Sequence, residues 1–272
     1  MKKIIWNNLI IMGLLFGIIF SDLTVAHSLE SIISGEHRLD ANKARDPYRH
    51  PQQTLEFFGL EEDMTVVEIW PSGGWYAEVI APYLNESGQY ISAGYDPNDK
   101  NSYFRKSAAR FMDRLNQDPD LFSNVQHTVL KLPDQIEIAE PSSADMVLTF
   151  RNIHNWMARG QAEAVFEEFF KVLKPGGVLG VVEHRGDSSI PQDPEAQSGY
   201  VNQEYAIALA ENAGFVFVVS SEINANPKDT KNHREGVWTL PPNYSSLNDH
   251  EKERYSEIGE SDRFTLKFHK PE

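Results

Sequence analysis

The 272-residue chain contains no cysteine. Disulfides, thiolate metal sites and cysteine nucleophiles are excluded with it. Basic residues are scarce: 25 Lys and Arg stand against 40 Asp and Glu, a formal net charge of −15. So negative a surface repels phosphate backbones and anionic headgroups, which argues against a nucleic-acid partner or a role at a membrane surface. A membrane-length apolar run is missing as well. The run Leu9 to Phe20 would cover about 18 Å as a helix, short of the ~30 Å hydrocarbon core. With Lys2 and Lys3 before it and Thr24-Val25-Ala26 after it, this stretch has the layout of a secretory signal peptide cleaved before His27. Residues 1–26 are therefore expected to direct export, to the periplasm, with no stable membrane anchor after cleavage.

What is present describes a folded chain. Hydrophobic residues make up 40% and charged residues 24%, which suits a globular α/β protein and leaves enough chain to bury a core. Apolar runs predict strands at Met64–Trp70, Gln89–Tyr95, Val125–Leu130, Asp145–Phe150, Val178–Glu183, Phe215–Ser221 and Arg263–Phe268. Helical spacing predicts helices from His50 to Gly59, Trp75 to Leu84, Asn101 to Gln117, Gln161 to Leu173 and Gln203 to Ala213. Lys174-Pro175-Gly176-Gly177 is expected to form a turn before the fifth strand. Strands alternating with helices imply a doubly wound, seven-stranded, mostly parallel sheet. Without a linker-like boundary, residues 27–272 read as one domain. The segment 222–262 stands out as an insertion, long enough for a lid, a binding loop or disorder.

In such sheets ligands bind beyond the carboxyl ends of the strands, where the winding reverses. There the sequence runs Val66-Val67-Glu68-Ile69-Trp70-Pro71-Ser72-Gly73-Gly74-Trp75-Tyr76: a strand tipped by a carboxylate, a small-residue turn, and a helix start. Gly73 and Gly74 let backbone approach a ligand, and the helix start offers unpaired N–H groups. Asp96 ends the second strand, where a carboxylate can accept hydrogen bonds from ribose hydroxyls.

At these residues the chain resembles the class I S-adenosylmethionine-dependent methyltransferases, and within them a group of predicted exported methyltransferases with a Glu-Ile-Trp-Pro-x-Gly-Gly-Trp-Tyr first motif. The string Arg45-Asp46-Pro47-Tyr48-Arg49-His50-Pro51 and the Leu173–Gly177 turn are further shared features. The resemblance implies S-adenosyl-L-methionine as cofactor. Glu68, Ser72, Gly73 and Gly74 would lie at its methionine end, with Asp96 at its ribose and Trp70 a further cofactor-binding residue. The superfamily turn reads acid-x-Gly-x-Gly-x-Gly. Here Trp70 and Ser72 occupy the first two glycine positions and only Gly74 keeps the third, so the cradle must differ in shape. Trp70 or Trp75 could also offer a ring face to the sulfonium.

For substrate chemistry the polar residues after the fourth and fifth strands stand out. His154 is a candidate general base, an imidazole ordinarily titrating near 6.5, and Asn152 and Glu183 are its candidate companions. Asn152 and His154 could equally hold their loop by hydrogen bonds. The 9 histidines show no His-x-x-x-His or His-Glu-x-x-His spacing, so no metal is assigned. The leading expectation is a methyltransferase acting on a small-molecule substrate. The alternative is a non-catalytic exported ligand-binding protein on the same fold. A nicotinamide-dependent oxidoreductase fits poorly, because Trp70 breaks the Gly-x-Gly-x-x-Gly pattern. Oligomeric state is not legible.

Overall fold

The computed structural model describes residues 28–272, so the expected signal peptide lies outside the described residues. Four short helices come first: α1 (Leu29–Ser34), α2 (Asp40–Lys43), α3 (Asp46–Arg49) and α4 (Pro51–Phe58). There follow β1 (Thr65–Ile69), α5 (Ala77–Leu84), β2 (Gln89–Gly94), α6 (Ser102–Gln117), β3 (Val125–Val129) and β4 (Ala144–Phe150). The chain continues through α7 (Ile153–Met157), α8 (Ala162–Val172), β5 (Leu173–His184), α9 (Gln203–Asn212), β6 (Val216–Ser221), α10 (Asp249–Ser256) and β7 (Arg263–His269).

The strands form one sheet of order β3-β2-β1-β4-β5-β7-β6. All pairs are parallel except those made by β7, which runs antiparallel to both β5 and β6. The chain winds outward from β1 to β3, then returns to β4 beside β1. The reversal falls between β1 and β4, which is where a crevice is expected.

The residue pattern explains the layers. Along β1, Val67 and Ile69 join the core on one face of the sheet, while Val66 joins the core on the other. Alternation therefore points Glu68 into the same layer as Val66. Helix α8 buries Val165, Phe166, Phe169 and Val172, one stripe of a helical wheel. Helix α6 is capped by Asn101, whose side chain accepts the Tyr103 N–H at 2.9 Å.

The seven-stranded doubly wound sheet matches the sequence expectation, with two local corrections. The Lys174–Gly177 stretch is not a turn before β5 but lies inside it. Leu173 pairs with Ala144 and Val178 with Met146, so the intervening residues bulge out of the ladder, as Pro and Gly favour. The helices α1, α2, α3 and α7 are not legible, because four to six residues show too little periodicity, and α10 is not because it buries no residue and so carries no apolar stripe. The 222–262 segment is well anchored: Asn226 Nδ2 donates to the carbonyls of Ile258 (2.8 Å) and Glu260 (2.6 Å), and the Tyr200 hydroxyl donates to Asp229 (2.8 Å). Among the described residues, no helix is long and apolar enough to cross a membrane.

Candidate functional site

Beyond the carboxyl ends of β1, β4 and β5 lies a cavity of about 390 Å³, within the ~300–1,000 Å³ typical of small-molecule sites. Ser72 reaches it from the turn after β1 and Tyr95 from the end of β2. Arg151, Asn152 and His154 come from the β4–α7 connection, and His184 from the end of β5. The fourth side comes from far along the chain. Trp238 and Pro241 of the 222–262 segment form a wall, and Glu260, Ser261 and Arg263 lead into β7. The antiparallel register sets Arg263 opposite His184, which explains how residues so distant in sequence share one rim.

The rim is cationic. Arg45, Arg49, Arg151 and Arg263 face one carboxylate, Glu260. Glu260 accepts from Arg45 Nε at 2.5 Å, from Arg49 Nε at 3.2 Å and from Arg263. Burial opposes its ionisation, but Arg263, Arg49 and Arg45 together hold its carboxyl far below the usual range. Three guanidiniums are thus partly neutralised.

Arg151 is not. Its backbone N–H bonds to the Val182 carbonyl at 2.7 Å, but its guanidinium has no hydrogen-bond or ion-pair partner among the described residues. Burial first, then Arg263, pulls its pKa down to about 10, so it remains charged at neutral pH. Its backbone sits at φ 63°, a left-handed conformation that costs a non-glycine residue about 1–2 kcal/mol.

Of the three sequence-predicted substrate-side residues, the structure brings His154 and Glu183 together and gives the Asn152 side chain other partners. His154 Nδ1 lies 3.2 Å from Glu183 Oε1. Glu183 is buried and also accepts the backbone N–H groups of Ile153 (2.6 Å) and His184 (2.8 Å). That network orients His154 with Nδ1–H toward the carboxylate, leaving Nε2 as acceptor. Nε2 meets Asn155 Nδ2 at 3.0 Å. Asn152 spends its amide on the Ile69 carbonyl (3.0 Å) and Thr149 Oγ1 (3.2 Å), pinning the β4–α7 loop to the tip of β1. His184 Nδ1 meets Ser261 Oγ at 2.5 Å, and burial, His154 and Arg263 push its pKa well down, so it is neutral. Donor atoms of His154, Glu183 and His184 lie within 4.8 Å of one another. Sequence spacing could not show that grouping, because it joins two strand ends. The oxygens of Glu183 are already engaged by three donors, which makes this a hydrogen-bonded base more readily than a metal cage.

The residues that the resemblance assigns to S-adenosylmethionine are placed differently. Glu68 is buried in the layer of Val66, accepts the Tyr90 hydroxyl at 2.6 Å, and does not line the cavity. Burial raises its pKa to about 7. Trp70 is buried, its indole against Tyr95, Phe104 and Trp156. Asp96 is ion-paired to Lys131 at 2.7 Å, and the Lys131 hydrogen bond lowers its pKa. Ser72 lines the cavity, and a side chain at Gly73 would meet nothing within 4 Å. The Trp75 face, a candidate for a sulfonium, is covered by Arg49 at 4.8 Å and Arg38 at 5.2 Å. Between Asp96 and the end of β3 only about 60 Å³ remains open, too little for a nucleoside. In this arrangement the space beside Asp96 does not admit an adenosyl group.

No protein-family model matches the chain, and no curated protein matches it. Its fold is that of the S-adenosylmethionine-dependent methyltransferases. A methyltransferase of this kind from Aquifex aeolicus superposes with a TM-score of 0.55 at 16% identity, over 83% of this chain and 92% of that one. The [4+2]-cyclase SpnF superposes with a TM-score of 0.57 at 15% identity, over 87% and 85%. Phosphoethanolamine N-methyltransferase 2 of Haemonchus contortus, in complex with S-adenosyl-L-methionine, gives 0.52 at 16% identity, over 92% and 59%.

Proposed function

We propose that the chain is an enzyme acting on an anionic small molecule, a carboxylate or phosphate compound, held in the arginine-rimmed cavity. The observation that carries this reading is the unpartnered guanidinium of Arg151, in a strained backbone, on a rim where four arginines meet one carboxylate. A charge so placed is stabilised when an anion arrives. His154 then accepts a proton at Nε2 from a group of the bound molecule, Asn155 yielding its hydrogen bond. The carboxylate of Glu183 stabilises the imidazolium that forms. Neutral His184 adds no competing positive charge beside it.

Methyl transfer from S-adenosylmethionine is the second reading, favoured by the fold and by the open backbone at Gly73. The same cavity would then hold the methyl acceptor. A neighbour described as a [4+2]-cyclase shares the fold, so architecture alone leaves the chemistry open.

Calorimetry with inorganic phosphate and with malonate tests the first reading. Native protein is expected to bind one of them with a Kd below about 1 mM, and Arg151→Met to weaken it at least tenfold. Binding should persist to about pH 9 and fall as Arg151 loses its proton near 10. No response to any small anion, or full binding by Arg151→Met, would overturn it.

A further inference from the structure

The turn after β1 keeps the backbone of a glycine turn while carrying side chains. Trp70, Ser72 and Gly74, the alternate positions of the pattern, have φ of 47°, 54° and 82°. Glycine adopts such angles freely, and a tryptophan rarely does. What holds Trp70 there is visible in its surroundings. The indole is 7% exposed. It packs on Tyr95 with centroids 4.7 Å apart and on Trp156 at 5.4 Å, and its Nε1–H donates to the Leu130 carbonyl, just past the end of β3, at 3.0 Å. The carboxylate of Asp96 borders the same small space.

In a doubly wound sheet the nucleoside of a bound cofactor lies across the tips of the first strands, its ribose at the acid that ends the second. That is the ground the indole covers. Indole and adenine are both fused bicycles of a five- and a six-membered ring, flat, stackable and equipped with an N–H donor. We propose that Trp70 is a built-in occupant of the nucleobase end of the crevice. The chain packs its own bicycle against Tyr95, tilted by 34°, and bonds it to the carbonyl just past the third strand, where an adenosyl cofactor's base would otherwise lie. The crevice is thereby divided. Its nucleotide half is closed by the protein, and its arginine half is left to a smaller, anionic molecule. The backbone angles give the origin of the device: a turn shaped for glycine accepts one large side chain, and that side chain reaches the vacancy.

Titration of the full chain with S-adenosylmethionine, adenosine and indole, followed by calorimetry and thermal melting, tests this. Native protein is expected to give no S-adenosylmethionine binding up to about 1 mM. Trp70→Gly and Trp70→Ala, which vacate the space, are expected to melt at higher temperature in the presence of indole or adenosine, as engineered cavities accept the group they lost. S-adenosylmethionine is expected to bind Trp70→Gly at least tenfold more tightly than native, and Asp96→Asn in that background to lose the gain. S-adenosylmethionine binding by native protein with a Kd below about 1 mM overturns the proposal whatever the variants do. So does a folded Trp70→Gly or Trp70→Ala that responds to none of the three probes.

Discussion

The two sides of the crevice have opposite habits. On the β1–β3 side three polar side chains have partners within the chain: Glu68 with Tyr90, Asp96 with Lys131, the Trp70 indole with the Leu130 carbonyl. Little space remains there. The cavity of about 390 Å³ is lined mainly from the β4–β7 side, with Ser72 and Tyr95 at its edge, and there the guanidinium of Arg151 stands without a partner among the described residues. A self-satisfied surface needs no ligand, whereas one that holds an unpaired charge in strained backbone gains when a ligand arrives. On the proposed reading, one fold closes half of its crevice with its own side chains and leaves the other half to a ligand.

The largest effect that would break this comparison is expected at Glu183. Replacing it with Ala strips partners from His154 and from two buried backbone N–H groups, and should cost about 3–5 kcal/mol in urea unfolding. A loss below about 1 kcal/mol would mean that Glu183 does not organise the open side.

Glu68 comes next. Its folded pKa is about 7 against an ordinary 4.5, because burial penalises the carboxylate. The native state therefore keeps a proton that the unfolded chain has released. Stability from this group is complete below pH 4.5 and is lost as pH rises through 7, a difference of about 3 kcal/mol. Glu68→Gln, which still accepts from Tyr90, should match native at pH 4 and exceed it by up to about 3 kcal/mol at pH 8. An unchanged pH slope in the variant would place the proton elsewhere.

Arg151→Met should raise unfolding stability in the absence of anions by about 1 kcal/mol, since an uncompensated charge is removed, while abolishing stabilisation by phosphate. A destabilised variant would mean that the guanidinium has a structural partner. The smallest effect belongs to Asp96→Asn in the native background. The ion pair with Lys131 is only partly buried, so the melting temperature should move by less than about 2 °C.

Much of the sheet is legible in the sequence because buried parallel strands read as apolar runs and the helices α6 and α8 as stripes. His154, Asn152 and Glu183 can be picked out because position at a strand end is readable from the same runs. The rest of the site is not. Glu260 and Arg263 meet Arg45 and Arg49 only because β7 inserts antiparallel beside β5, and no local pattern encodes that pairing. The string Arg45 to Pro51 offers a signal, two arginines close together in an acidic protein, but not their partner. Trp70 is visible as a residue at a glycine position. Which way its side chain turns depends on a φ of 47° that sequence does not display, and Glu68 is sent into the layer of Val66 by alternation along β1.

The division of the crevice is tested most directly by the indole N–H signals of ¹⁵N-labelled protein, the chain having 5 tryptophans, with Trp70 assigned by loss of its peak in Trp70→Phe. The Trp70 signal should stay fixed as S-adenosylmethionine is added to about 1 mM, while that of Trp238, on the cavity wall, moves with phosphate or malonate. A Trp70 signal that shifts or broadens with S-adenosylmethionine would show the indole giving way to a cofactor, and the account would fail.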